Sequence, residues 1–204
     1  LKQIAVDLCA PSLTVTKLAD TPDTQGFVPA DGWDFSTTVK IPTAAGNWVK
    51  PSTGAIPQNT SSTKSQATAG GGAATFQWEP NGDAATDPVI LEETLKSGYE
   101  REPALACTAK NILRGTERAI NVDADGSGKW NLGSISAREI VSCTAKNTLT
   151  KLNLKKVVSG GSATPADFTM TATGPQGSQP YSKLGNHTGY EPITGGVQYT
   201  LGES

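Results

Sequence analysis

Two cysteines in this chain stand in identical five-residue settings. Cys107-Thr108-Ala109-Lys110-Asn111 recurs as Cys143-Thr144-Ala145-Lys146-Asn147, 36 residues further on. Cysteine placed on two similar β-compatible segments predicts a disulfide between strands, Cys107 to Cys143. The third cysteine, Cys9, is then a free thiol or one that bridges to another molecule; the alternative for all three is reduced and buried. Other residues invite chemistry more weakly. Asn121-x-Asp123-x-Asp125-Gly126 matches the front of a calcium loop, but position twelve is Leu132 where a bidentate Glu is needed. That leaves Asn121, Asp123 and Asp125 as a weak calcium site, and Asp125-Gly126 as the turn of a hairpin. His187 is the only histidine, and no Gly-x-Ser-x-Gly elbow accompanies it. The run Gly70-Gly71-Gly72 is not followed by Gly-Lys-Ser/Thr, so it is no phosphate loop. The sequence thus predicts no enzyme, no cofactor and no strong metal site.

The elements that position these residues read as strands. Leu13-Thr14-Val15-Thr16-Lys17-Leu18 alternates apolar and polar side chains, the period of a half-buried strand. The same alternation marks 74–78 and 167–173, and strands are also expected over 3–9, 32–39, 88–93, 130–135, 152–158 and 197–203. Residues 43–73, rich in Ala, Gly, Ser, Thr and Gln, predict a long loop or weak edge strands. The one candidate helix, 104–114, overlaps a cysteine segment and is a poor one. With 22 Gly and 13 Pro the chain favours turns over long helices. Aromatics make up 6% and hydrophobic residues 36%, which predicts a thin core such as that of a β-sandwich. Trp33, Trp78 and Trp130 lie in strands and are expected to fill that core. Trp48, in the long loop, is the candidate ligand contact if the protein is a carbohydrate-binding module.

Bulk properties exclude some functions. Net charge is −2 and the pI near 5.4, so nucleic-acid binding has no basic footprint. No apolar run approaches the roughly 20 residues of a membrane-spanning helix. The first residues lack the three-part plan of a signal peptide, and the chain reads as a mature or excised piece. A disulfide and a Thr-rich, turn-rich composition predict an extracellular setting.

These residues resemble a known family. A Lys in the opening strand (Thr16-Lys17, and again Lys155-Lys156) precedes an aromatic strand. A strand ending in Glu then precedes a Gly-Tyr turn (Glu92-Glu93 to Gly98-Tyr99), and the unit closes with Cys-Thr-x-x-Asn. The pattern is similar to the prealbumin-like (SpaA or Cna B-type) repeat domains of Gram-positive surface proteins and pilins, and 155–175 most resembles the actinobacterial version. The resemblance implies an all-β fold of tandem antiparallel β-sandwiches and a stalk, pilin or adhesin role at the cell wall. It also implies a Lys–Asn isopeptide bond assisted by a carboxyl. Carried over, Lys17 supplies the amine, Asn147 the amide and Glu92 the carboxyl, with Glu93 the rival. Such a bond needs a neutral amine, and burial favours the uncharged forms of amines and carboxyls.

The resulting division is residues 1–9 as an N-terminal strand or linker, 10–147 as a complete sandwich, and 148–204 as a partial second one. In the second, Lys155 or Lys156 and Glu203 match the first two positions, but no Asn follows. Open sheet edges recruit strands, so the alternating Ile4, Val6 and Leu8 of 3–9 are a candidate donor strand for another copy. The expected partners are therefore further copies in a fibre, adjoining surface-protein domains, or a host or glycan receptor.

Overall fold

The computed structural model describes residues 10–22, 26–39, 63–78 and 86–204. Among them the chain is almost entirely β. The strands are β1 (Ser12–Asp20), β2 (Phe27–Pro29), β3 (Asp34–Val39), β4 (Thr63–Ala67), β5 (Ala73–Gln77), β6 (Thr86–Glu93), β7 (Tyr99–Arg101) and β8 (Ala104–Asn111). They continue as β9 (Glu117–Asp123), β10 (Lys129–Ser136), β11 (Glu139–Leu149), β12 (Lys151–Leu152), β13 (Thr169–Thr173), β14 (Tyr181–Leu184), β15 (Glu191–Pro192) and β16 (Thr200–Glu203). The only helical turn described is a 3-10 turn at Pro165–Asp167, and no helix among the described residues is long and apolar enough to cross a membrane.

One sheet runs β2-β1-β11-β8-β9, with β5 also pairing β1 and β7 also pairing β11. A second runs β10-β6-β3-β4. Strand pairs β1–β5, β10–β6, β11–β8, β3–β6 and β8–β9 are all antiparallel, as in a β-sandwich. The segment 104–111, doubtful as a helix, is a strand because every second side chain is apolar and small: Leu105, Cys107 and Ala109 are buried while their neighbours are exposed. Between the two sheets Leu13, Val15, Phe35, Phe76, Trp78, Leu91, Trp130 and Ile135 are shut off from water. Trp33, Trp78 and Trp130 are core residues, as their alternating settings predict. The indole N–H of Trp130 donates to the Pro103 carbonyl at 2.9 Å, so the buried ring keeps its one polar group satisfied.

The chain divides into two units. The first takes residues up to 18, 29–94 and 102–146; the second takes 19–28, 95–101 and 147–204. The last break between the units falls at 146/147, and two short stretches from earlier in the sequence, 19–28 and 95–101, belong with the second unit. Pairing explains it: Tyr99–Arg101 pair with Leu149–Asn147, and Lys151 binds Asp20 at 3.3 Å and the Thr21 carbonyl at 3.0 Å. In the second unit β14-β13-β16 form a three-stranded sheet and β12-β15 a two-stranded one. The strand expected over 152–158 is not formed beyond Leu152; among the described residues, no ladder partner lies alongside 153–158.

One ion pair in the first unit makes its stability acid-sensitive. The Arg118 guanidinium on β9 donates through Nε and Nη2 to the two Glu139 oxygens, each at 2.9 Å, and the Ser136 N–H adds a third bond. The Arg118 bond is the main cause that holds the Glu139 carboxyl below its ordinary value. A lowered carboxylate stabilises the fold above the unfolded value near 4.3 and loses that contribution as pH falls through the folded value. Arg118 is about half exposed, so the contribution is discounted to about 0.5–1 kcal/mol. Glu139→Gln should therefore lower the melting temperature slightly at pH 7 and leave it unchanged at pH 2, as read by circular dichroism.

Candidate functional site

The candidate site is built on β1, β3, β6 and β11. On β1 every second residue faces inward, and the row Leu13, Val15 continues into Lys17. Lys17 is therefore wholly buried, although it is charged in water. On β6, in the opposite sheet, Leu91 and Glu93 share the inward row. The two meet across the sandwich, with Lys17 Nζ 2.6 Å from Glu93 Oε1 and both side chains fully shielded. Trp33, just before β3, lays its ring 4.3 Å from the Lys17 amine. The indole closes that side of the amine to water and attracts it while it is charged.

Glu92, the carboxyl favoured by its spacing from Gly98, does not face this site. Its side chain is 45% exposed and lies 3.5 Å from Lys129. Successive strand residues point to opposite faces, so a strand that buries Val89 and Leu91 must bury Glu93 and expose Glu92. The rival carboxyl is the one beside Lys17.

Asn147 sits on β11, the strand next to β1 in the sheet. It continues the buried row Val141, Cys143, Ala145 and is itself wholly buried. The amine and the carboxyl are therefore carried in inward-facing rows of the first unit, and the carboxamide in the buried row of β11.

Close backbone approach fixes the Lys17 position. The Lys17 N–H donates to the Gly72 carbonyl at 2.7 Å, and Ala30 N–H donates to the Lys17 carbonyl at 3.0 Å. A Cβ on Gly72 would come within 2.6 Å of the Lys17 oxygen and 2.8 Å of the Ala30 nitrogen. With φ at +79°, the position calls for glycine on both counts.

Cys107 and Cys143 stand directly opposite each other on β8 and β11 and are joined by a disulfide. The duplicated sequence thus marks two paired strands of one sheet, not two domains. Cys9 and Trp48 lie outside the described residues, as does the candidate donor strand 3–9.

The remaining candidates have ordinary structural duties. Asp125 Oδ1 accepts from the backbone N–H groups of Ser127 and Lys129 and from the Ser127 hydroxyl, at 2.8–2.9 Å. The Lys129 N–H is the largest cause holding its carboxyl below the ordinary value. That oxygen closes the β9–β10 hairpin, while Asn121 and Asp123 are exposed on β9. Among the described residues no group of three or more His, Cys, Asp or Glu is placed to hold a metal ion. His187 lies 3.2 Å from Glu191, which also binds Lys183 at 2.8 Å.

In the second unit the sequence left Lys155 and Lys156 as alternatives. Lys155 is exposed, and Lys156 reaches Glu203 at 2.6 and 2.8 Å. Searches with this sequence found no matching protein-family model and no matching curated protein.

Proposed function

We infer that this chain is a structural segment of an extracellular fibre, pilus or adhesin, made resistant to extension by covalent links between strands. The observation that carries the reading is the fully buried Lys17–Glu93 pair, with Asn147 in the inward row of the strand beside Lys17. A buried ion pair is a poor way to gain stability, since desolvation offsets most of the attraction. It is a good way to prepare an amide-forming reaction. A proton passed along the 2.6 Å contact turns the pair into a neutral amine and a carboxylic acid. The amine then attacks the Asn147 side-chain carbonyl carbon. The Glu93 carboxyl hydrogen-bonds the developing oxyanion and returns a proton to the departing nitrogen. A Lys17–Asn147 amide forms, one ammonia leaves, and no oxidant or cofactor is consumed. Trp33 keeps water from competing.

The disulfide fits an oxidising compartment. With the amide it would tie β1 to β11 and β11 to β8, so that three adjacent strands of one sheet are joined covalently. The prealbumin-like resemblance supports the same reading, and donation of 3–9 to another copy is the proposed route to a fibre. Intact-mass measurement tests the crosslink. The unreduced chain should be lighter than its sequence by one ammonia and two hydrogens, and reduction should restore only the hydrogens. A peptide pair linked through Lys17 and Asn147 should appear on proteolysis. Full sequence mass after reduction would reject it.

A further inference from the structure

Lys17 is held at both ends by two loops that are bonded to each other through one buried hydroxyl. The loop 30–33 leads into β3, and 68–72 joins β4 of one sheet to β5 of the other. At its backbone Lys17 lies between them: its N–H donates to the Gly72 carbonyl, and its carbonyl accepts the Ala30 N–H. At its amine it meets Trp33, from the same loop as Ala30. How 30–33 is fastened to 68–72 therefore decides where the cover of the amine sits.

Two side chains do the fastening. Thr68 is 2% exposed. Its hydroxyl donates to the Ala30 carbonyl at 2.7 Å and accepts the Trp33 N–H at 3.0 Å. Its backbone adds two bonds: the Gly32 N–H donates to the Thr68 carbonyl at 2.7 Å, and the Thr68 N–H donates to the Trp33 carbonyl at 2.8 Å. The second side chain is Asp31, which is exposed. Its Oδ1 accepts the N–H groups of Gly71 at 3.1 Å and Gly72 at 2.6 Å. Gly70, Gly71 and Gly72 all have positive φ, so the turn that presents these N–H groups needs glycine. The glycine run that is no phosphate loop is thus a seat for a carboxylate of the chain itself. The backbone bonds of Thr68 survive a substitution there, but the two hydroxyl bonds do not. Without them the Trp33 N–H and the Ala30 carbonyl lose a buried partner. They can replace it with water only by moving outward, and the indole moves with them.

We propose that Thr68 is a positioning residue for the reaction of Lys17: its hydroxyl sets Trp33 over the amine and keeps water from the amide-forming step. Asp31 assists by fixing Gly72, which holds the Lys17 backbone. Both act through other residues, and neither gains or loses a proton or a bond in the reaction. The inference rests on the amide-forming reading of Lys17.

The test follows the full 204-residue chain made by cell-free translation, sampled with time and weighed after reduction. Thr68→Val keeps the shape and removes the hydroxyl; it should slow the loss of ammonia by about 10-fold or more. Thr68→Ser should restore the rate of the unsubstituted chain. Leu105→Ala leaves a cavity on β8, two strands from β1, and should keep that rate although it lowers stability. Circular dichroism checks that each variant is folded. If Thr68→Val is not, Asp31→Ala decides, and it should slow the reaction by about 3-fold or more. An unchanged rate in the deciding variant, no rescue by serine, or equal slowing by Leu105→Ala overturns the proposal. If the unsubstituted chain keeps its full mass, the amide-forming reading fails, and the cover is read on the free amine. Acetylation of Lys17 by acetic anhydride, mapped by proteolysis, should then be about 10-fold or more faster in the deciding variant than in the unsubstituted chain. Equal labelling rejects the role of Thr68 as well.

Discussion

Glu93→Gln should leave the chain at its full sequence mass after reduction and lower its melting temperature by about 15 °C, whereas Glu92→Gln should change neither. The two residues are neighbours on β6, so the contrast isolates the face each occupies. A glutamine in place of Glu93 would keep the shape and most of the hydrogen bonding, but it cannot take a proton from Lys17. Nor can it hydrogen-bond the oxyanion as an acid and return a proton to the departing nitrogen, so the amide would not form. The size of the effect follows from chain entropy. A link between 17 and 147 closes a loop of about 130 residues, and such closure removes roughly 5 kcal/mol of freedom from the unfolded chain. At about 3 °C per kcal/mol for a unit of this size, that is the shift expected. Scanning calorimetry and intact mass on the two variants decide the matter. Equal melting temperatures, or a crosslink that survives in Glu93→Gln, would reject the role of Glu93.

The strand pattern of the first unit was legible because alternation is a local property. Leu13, Val15, Ala74, Phe76, Val89 and Leu91 announce their inward faces without reference to anything distant. The disulfide was legible because a five-residue identity survives in the sequence. The choice between Glu92 and Glu93 was also open to the alternation, which counts Val89, Leu91, Glu93 as one row; the spacing to Gly98 pointed to the other residue. Short strands such as β2, β7 and β14 were not legible. Three or four residues carry too little pattern, and their pairing is set by distant neighbours. The expected strand over 152–158 is not formed beyond Leu152, for the same reason in reverse. Its residues suit a strand, but a strand also needs a ladder partner. The same gap explains why Lys156 is partly exposed while Lys17 is not. Burial of a lysine depends on which strands cover it, and no local pattern of residues carries that information.

Replacing both Cys107 and Cys143 with Ala should cost the first unit about 3.5–4 kcal/mol, by the loop-closure estimate for 36 residues. That corresponds to about 10–12 °C, and the folded chain should retain the proposed Lys17–Asn147 link. The disulfide and the proposed amide share β11, which raises the question of whether their contributions add. In the unfolded chain the disulfide shortens the path from 17 to 147 to roughly 94 residues, but loop entropy depends only on the logarithm of length. The loss from removing both should therefore fall within about 0.5 kcal/mol of the sum of the separate losses. A larger departure would mean that one link alters the native packing around the other. Cys143 and Asn147 lie in one buried row with Ala145 between them, so a shift of β11 on loss of the disulfide would reach the amide. A double-mutant cycle of Asn147→Ala with the cysteine pair, followed by denaturant unfolding, measures this coupling. Near-additivity means that the two links restrain the unfolded chain independently. A coupling well above about 0.5 kcal/mol, by contrast, means that the disulfide helps hold β11 in the register that the amide-forming reaction requires.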